Sequence, residues 1–196
     1  MQGYGRPLYS SSKYPFPIHP PFVPKQNPVG CYVKKFYLPE DWDHGRTHLV
    51  FEGVDSAFHL WVNGEFIGYS QGSHLHSEFN ITEVLRKGDN IVAVQVYQCS
   101  DGSYLEDQDK WRLSGIFRDV YLSAAPQVQI HDAYVTNELD SEYKDAQLNL
   151  KIEWKNNAEH VSSPRKLRIS LLDYSDRVVL DHTEEEVSLQ PEERRE

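Results

Sequence analysis

The chain has 196 residues, 30 acidic and 20 basic, for a formal net charge of −10. That acidity argues against a nucleic-acid partner, because affinity for a phosphate backbone rests on clustered Lys and Arg. A hydrophobic fraction of 39% with 12% aromatics supplies a core and excludes a disordered chain, while no apolar run approaches the ~20 residues of a membrane span. The start carries no charged, apolar and small-residue succession of a secretory leader. With a pI near 5.3, a cytoplasmic protein with no membrane partner is expected.

The first thirty residues are punctuated by Pro7, Pro15, Pro17, Pro20, Pro21, Pro24 and Pro28. Proline removes a backbone donor and bars a helix or a central strand. Yet Tyr9, Tyr14, Phe16, Ile18, Phe22 and Val23 are too apolar for a free linker. An extended arm packed on the outside of a sandwich is expected.

Strand signals then become regular. Cys31 to Leu38 is β-prone, and His48 to Glu52 is short and apolar. Ala57 to Val62 meets Asn63-Gly64 and then Glu65 to Tyr69, which predicts a hairpin, because a type I′ turn needs positive φ at both central residues. Asn90 to Gln98 alternates, with Val92, Val94 and Val96 on one face. Ile116 to Leu122 reads as one further strand. The only helical stretch expected is short, Ile81 to Leu85.

Composition shifts near Pro126. Twenty of the 24 aromatic residues precede it, and the remainder of the chain carries 16 acids against 9 bases. Two domains are expected, 1–125 and 126–196. The second continues with strands at Val128 to Leu139, Ala146 to Trp154, Leu167 to Asp173 and Val178 to Leu180. Four or five strands in about 70 residues suggest an incomplete immunoglobulin-like sandwich, which wants ~7. The close, Glu192 to Glu196, carries charge and no closing apolar strand.

Cys31 and Cys99 have no neighbours at metal-ligand spacing and are expected to be buried, reduced thiols. The nine histidines, His74-Leu75-His76 among them, sit at no recognised catalytic or metal spacing. Asn80-Ile81-Thr82 is a formal glycosylation sequon expected to be unused.

The most unusual segment runs from Ser100 to Arg112. Asp101, Glu106, Asp107, Asp109 and the nearby Asp119 share it with Tyr104 and Trp111. Acids beside aromatics suit a sugar, since carboxylates accept from hydroxyls and rings stack on C–H faces. A solvated acidic loop partnered by Arg112 and Arg118 accounts for the same composition, and the residues alone leave both readings open. The EF-hand template fails, because the glycine falls at the second loop position. Glu106 and Asp109 as a local acid/nucleophile pair would be poorly preorganised on one loop.

The runs Asn27-Pro28-Val29-Gly30-Cys31-Tyr32, Phe51 to Gly64 and Gly68-Tyr69-Ser70-Gln71, extended by Ser77-Glu78-Phe79 and Ser100 to Val120, closely resemble the N-terminal domain of bacterial-type β-galactosidases of glycoside hydrolase family 2. The resemblance implies an all-β fold: a galactose-binding-domain-like jelly roll, then an immunoglobulin-like sandwich, with a TIM barrel beyond it that carries both catalytic Glu residues. It therefore implies no catalytic residue in this chain and a Mg²⁺ site only in the parent's other domains. The chain reads as a non-catalytic N-terminal segment, inactive alone, whose partners are galactosides and its own barrel. A homo-oligomeric parent stays open. In the family the second Asp of Glu-Asp-Gln-Asp contacts galactosyl hydroxyls and helps ligate Na⁺, a role that falls on Asp109. Ser11 stands where the family carries a sugar-contacting Asn, a departure from its pattern. Trp111 is expected in the core and Arg112 as an internal ion-pair partner. An autonomous carbohydrate-binding module and a β-glucuronidase or β-mannosidase relative are the alternatives.

Overall fold

Alternation along the sequence becomes two-sidedness in the sheets. A computed structural model of the chain describes residues 8–10, 14, 16–42, 45–106, 109–183 and 186–196. It divides into two compact units, Met1–Asp43 with Thr47–Ala124, and His44–Arg46 with Ala125–Glu196.

The first unit holds β1 (Leu8–Ser10), β2 (Val29–Leu38), β3 (Thr47–Phe51), β4 (Val54–Asp55), β5 (Ala57–Val62), β6 (Glu65–Gln71), β7 (Ser77–Asn80), β8 (Gly88–Tyr97), β9 (Lys110–Arg112), β10 (Gly115–Ile116) and β11 (Val120–Ala124). One sheet is ordered β2-β8-β5-β6 and a second β11-β3-β7, with short ribbons β1-β9 and β10-β4. All these pairings are antiparallel. The result is a jelly-roll sandwich.

The core follows from strand parity. Val92, Val94 and Val96 are buried, as are Phe58, Leu60 and Val62 of the neighbouring strand. They meet Leu49 and Phe51 of the other sheet. Phe51, Phe58 and Phe79 pack ring on ring at 4.8 to 6.3 Å, within the range where tilted and edge contacts are favourable. At the β5–β6 turn Asn63 has φ 52° and Gly64 φ 88°, the signs a type I′ turn requires. The expected helical stretch is a single 3-10 turn, Thr82–Val84.

Two expectations are corrected. Ile116 to Leu122 is not one strand but β10 and β11, which pair with β4 and β3 in turn. Between them Phe117 to Asp119 oppose only Glu52 and Gly53, bonded through Phe117 N to Gly53 O (3.3 Å) and Glu52 N to Asp119 O (3.1 Å). Three residues against two make a bulge-like break. The Phe117 ring lies where a side chain on residue 53 would be, 2.7 Å from an ideal Cβ, so the crossing needs glycine. Cys31, expected to be buried, is exposed. It pairs with Gln95, which alternates with the buried valines and so marks the outer face. Cys99 is half-buried, and both thiols are free.

The second unit holds β12 (Val128–Leu139), β13 (Ala146–Asn156), β14 (Arg168–Leu172), β15 (Val178–Thr183) and β16 (Arg194–Arg195). They form two sheets, β12-β13-β16 and β14-β15. Asn156 is fully buried; its side-chain amide donates to the carbonyls of His160, Leu189 and Gln190. Where the sequence suggests only a charged end, Arg194 and Arg195 pair with Lys155 and Trp154. Edge pairing uses backbone groups and requires no apolar side chain.

Candidate functional site

The acidic loop begins where β8 ends, and its first anchor is a side chain acting as a strand. Asn27 donates to Cys99 O at 2.8 Å and accepts from Cys99 N at 2.9 Å, which continues the ladder beyond the last paired residue of β8. A 3-10 turn follows at Asp101–Tyr104. It is closed by Ser103 N to Ser100 O and by Ser100 N to Ser103 Oγ, both 3.1 Å.

Tyr104 ties the loop to the proline-punctuated arm. Its hydroxyl donates to Phe22 O at 2.7 Å and accepts from His19 N at 3.1 Å. Its carbonyl accepts from the Tyr14 hydroxyl at 2.7 Å. The Phe16 ring meets the Tyr104 ring edge-on at 5.3 Å. The arm is therefore tied to the loop through Tyr14, Phe16, His19 and Phe22, while the Ile18 and Phe22 side chains are exposed.

Glu106 is turned toward the body of the unit. Its Oε1 accepts from Ser73 N at 2.8 Å and its Oε2 from Ser73 Oγ at 2.6 Å, and Ser73 is 1% exposed. With both oxygens bonded to Ser73, the Glu106 carboxylate is an acceptor that ties the loop to the body of the unit. Asp109 is exposed and directly precedes β9, whose Lys110 pairs with Ser10 of β1. Ser11 lies outside the described residues.

Trp111, expected in the core, is 60% exposed because β9 belongs to a two-stranded ribbon. Its ring leans on Tyr9, with centroids 5.5 Å apart, and Tyr9 is its register partner. Arg112 is half-buried and lines a recess of about 290 Å³ with Asp55, Cys99 and Glu106. In that recess burial raises the Cys99 pKa, the Asp55 charge raises it further, and Arg112 acts the other way. Among the described residues no cluster of three His, Cys, Asp or Glu could hold a metal. His74 and His76 do not converge on one; His76 faces Glu78 at 3.8 Å. Asn80 of the sequon is engaged by Thr82, accepting from its N (3.1 Å) and Oγ1 (2.6 Å).

Sequence reasoning missed Ser73 and the depth of the Tyr104 anchorage. Ser73 is 33 positions from Glu106, and no local pattern joins them.

The jelly roll and its anchored acidic loop define an all-β sandwich domain, and the comparisons give it a family. Residues 1–126 match the model for "Glycosyl hydrolases family 2, sugar binding domain"; the chain belongs to that family. It is 54% identical over 151 residues to a beta-galactosidase of Pseudoalteromonas haloplanktis, covering 77% of this chain and 14% of that protein. It is 45% identical over 185 residues to the beta-galactosidase of Priestia megaterium, covering 92% and 18%. The chain thus spans less than a fifth of these relatives' length. A Bacteroides uniformis beta-glucuronidase shares the fold at a TM-score of 0.74 and 22% identity, over 85% of this chain and 20% of that one. A beta-D-mannosidase from Dictyoglomus thermophilum does so at 0.67 and 21%, over 85% and 23%.

Proposed function

We propose that this chain is the sugar-binding part of a retaining β-galactosidase that hydrolyses terminal β-D-galactosides, and that its loop completes the active site of a TIM barrel elsewhere in the same polypeptide. The observation that carries this reading is the anchored loop. Asn27, Phe22 and Ser73 bond to it, while Asp109 is exposed. The identity of 45% or more to beta-galactosidases supports the galactoside as substrate class.

In this reading Asp109 binds and orients. Its ionised oxygens accept from galactosyl hydroxyls, and a charged acceptor makes bonds roughly twice as strong as a neutral one. Those bonds fix the sugar ring relative to two barrel carboxylates, which in a retaining enzyme stand ~5.5 Å apart. The donor chemistry also fits Na⁺: an exposed carboxylate is a hard oxygen ligand, and one such group with barrel oxygens makes a shared site. Bound there, Na⁺ would supply positive charge that steadies the hydroxyls Asp109 accepts from. Ser11 is the second candidate contact, next in the chain to Ser10. Mg²⁺ belongs to the other domains. The chain alone is inactive and provides no catalytic carboxylate.

The test is an assay of this chain and of the complete polypeptide against nitrophenyl β-galactoside, β-glucuronide and β-mannoside. Turnover of the galactoside by the complete polypeptide alone is expected. Preference for the glucuronide or mannoside overturns the substrate class. Galactoside turnover by this chain that Asp109→Asn abolishes overturns the non-catalytic role.

A further inference from the structure

We infer that Glu106 is a positioning residue for Asp109: by gripping Ser73 it sets where the loop presents the Asp109 carboxylate. The inference deepens the function proposed above and rests on it.

Both Glu106 oxygens accept from one buried residue, through Ser73 N at 2.8 Å and Ser73 Oγ at 2.6 Å. Two bonds from one partner fix the roll of the carboxylate as well as its direction, and an ionised acceptor strengthens each. Ser73 is itself held in a tight turn, where Gly72 has φ +106° and Leu75 N donates to Gly72 O at 3.1 Å. Leu105, between Tyr104 and Glu106, is 90% exposed and adds no packing of its own. On the other side, Asp109 abuts the β1–β9 ribbon through Lys110. Glu106 and Asp109 are three residues apart, a reach of at most ~11 Å. Release of the Glu106 end would loosen the chain that leads to Asp109, and a misplacement of about 1 Å can cost up to about 100-fold in rate.

The experiment is a double-mutant cycle in the complete enzyme with Glu106→Ala and Asp109→Asn, reading kcat and KM for nitrophenyl galactoside. Hydrogen exchange at the Ser73 amide and thermal unfolding are read in parallel. Glu106→Ala is expected to lower kcat/KM about tenfold in the native background and less than about twofold beside Asp109→Asn, because coupled residues are not additive. The Ser73 amide should exchange faster. Glu106→Gln keeps one carbonyl acceptor and should recover most of the activity. If Glu106→Ala does not fold, Ser73→Ala, which removes only the hydroxyl donor, takes its place in the cycle with an expected loss of about threefold. Equal losses in both backgrounds, or no loss from Glu106→Ala while Asp109→Asn is costly, overturn the positioning role alone. A silent Asp109→Asn overturns the parent reading instead.

Discussion

The side-chain amide of Asn63 donates to the side-chain oxygen of Asn90 at 2.8 Å, 27 residues along the chain. Asn63 also donates to Val84 O at 2.7 Å and accepts from Ile91 N at 3.0 Å. Asn90, 1% exposed, donates to Arg86 O and Gly88 O and accepts from Arg86 N. One residue thus makes the β5–β6 turn and, through its partner, fixes the segment leading into β8. Glycine could make the same turn but could not reach the second element.

Asn90→Ala should destabilise the first unit by about 3 kcal/mol, because several buried groups lose a partner worth about 1 kcal/mol each. Asn90→Asp should be nearly as costly, since it turns a donor into an anion facing two carbonyls. Asn63→Gly should cost less, about 1–2 kcal/mol. Urea unfolding of the three variants gives the order; a neutral Asn90→Ala contradicts the network's role.

The two thiols should differ in reactivity. Burial, then the Asp55 charge, raises the Cys99 pKa, so little Cys99 is thiolate at pH 8, and only the thiolate attacks. Cys31 is exposed. Iodoacetamide at pH 8 should label Cys31 more than about tenfold faster, and Asp55→Asn should speed Cys99. Equal rates, read by peptide mass spectrometry, contradict the assignment.

The second unit carries an acid-sensitive hairpin. Asp173 accepts from Arg177 N at 3.0 Å, from Ser175 N at 2.7 Å and from the Arg177 guanidinium at 2.9 Å, and these bonds hold its carboxyl below the ordinary value. Arg168 and then Ser170 do the same for Asp181. A carboxyl whose folded pKa is depressed stabilises the fold above its unfolded value, near 3.9. That contribution disappears as pH falls through the lower folded value. Asp173 is half-buried, whereas Asp181 is exposed, so salt should weaken the Arg168–Asp181 pair. Carboxyl NMR titration should place both midpoints below about 3.9 at low salt; midpoints at or above it contradict the bonding.

Much of the sandwich was legible because its signals are local. Asn63-Gly64 between two apolar runs marks the hairpin, and Val92, Val94 and Val96 mark the inner face. Cys31 was misread because a β-prone neighbourhood does not say which face a residue takes; only the register with Gln95 does. Trp111 was misread because a bulky ring suggests a core, whereas a two-stranded ribbon leaves it exposed. The acidic loop was visible as composition, and Asp109 was singled out through the family resemblance. The Ser73–Glu106 and Asn27–Cys99 bonds span 33 and 72 residues, and contacts of that range leave no spacing to read.

The proposed function rests on Asp109 serving a sugar and cation site completed by another domain. Asp109→Asn keeps the size and one acceptor but removes the charge. In the complete enzyme, titrated with Na⁺, it should raise the Na⁺ concentration for half-maximal activity. It should also lower kcat/KM by more than about tenfold, or ~1.4 kcal/mol, while the thermal midpoint stays nearly unchanged, because an exposed carboxylate adds little to packing. Unchanged kcat/KM with unchanged Na⁺ dependence would contradict the account and leave Asp109 a solvated surface charge.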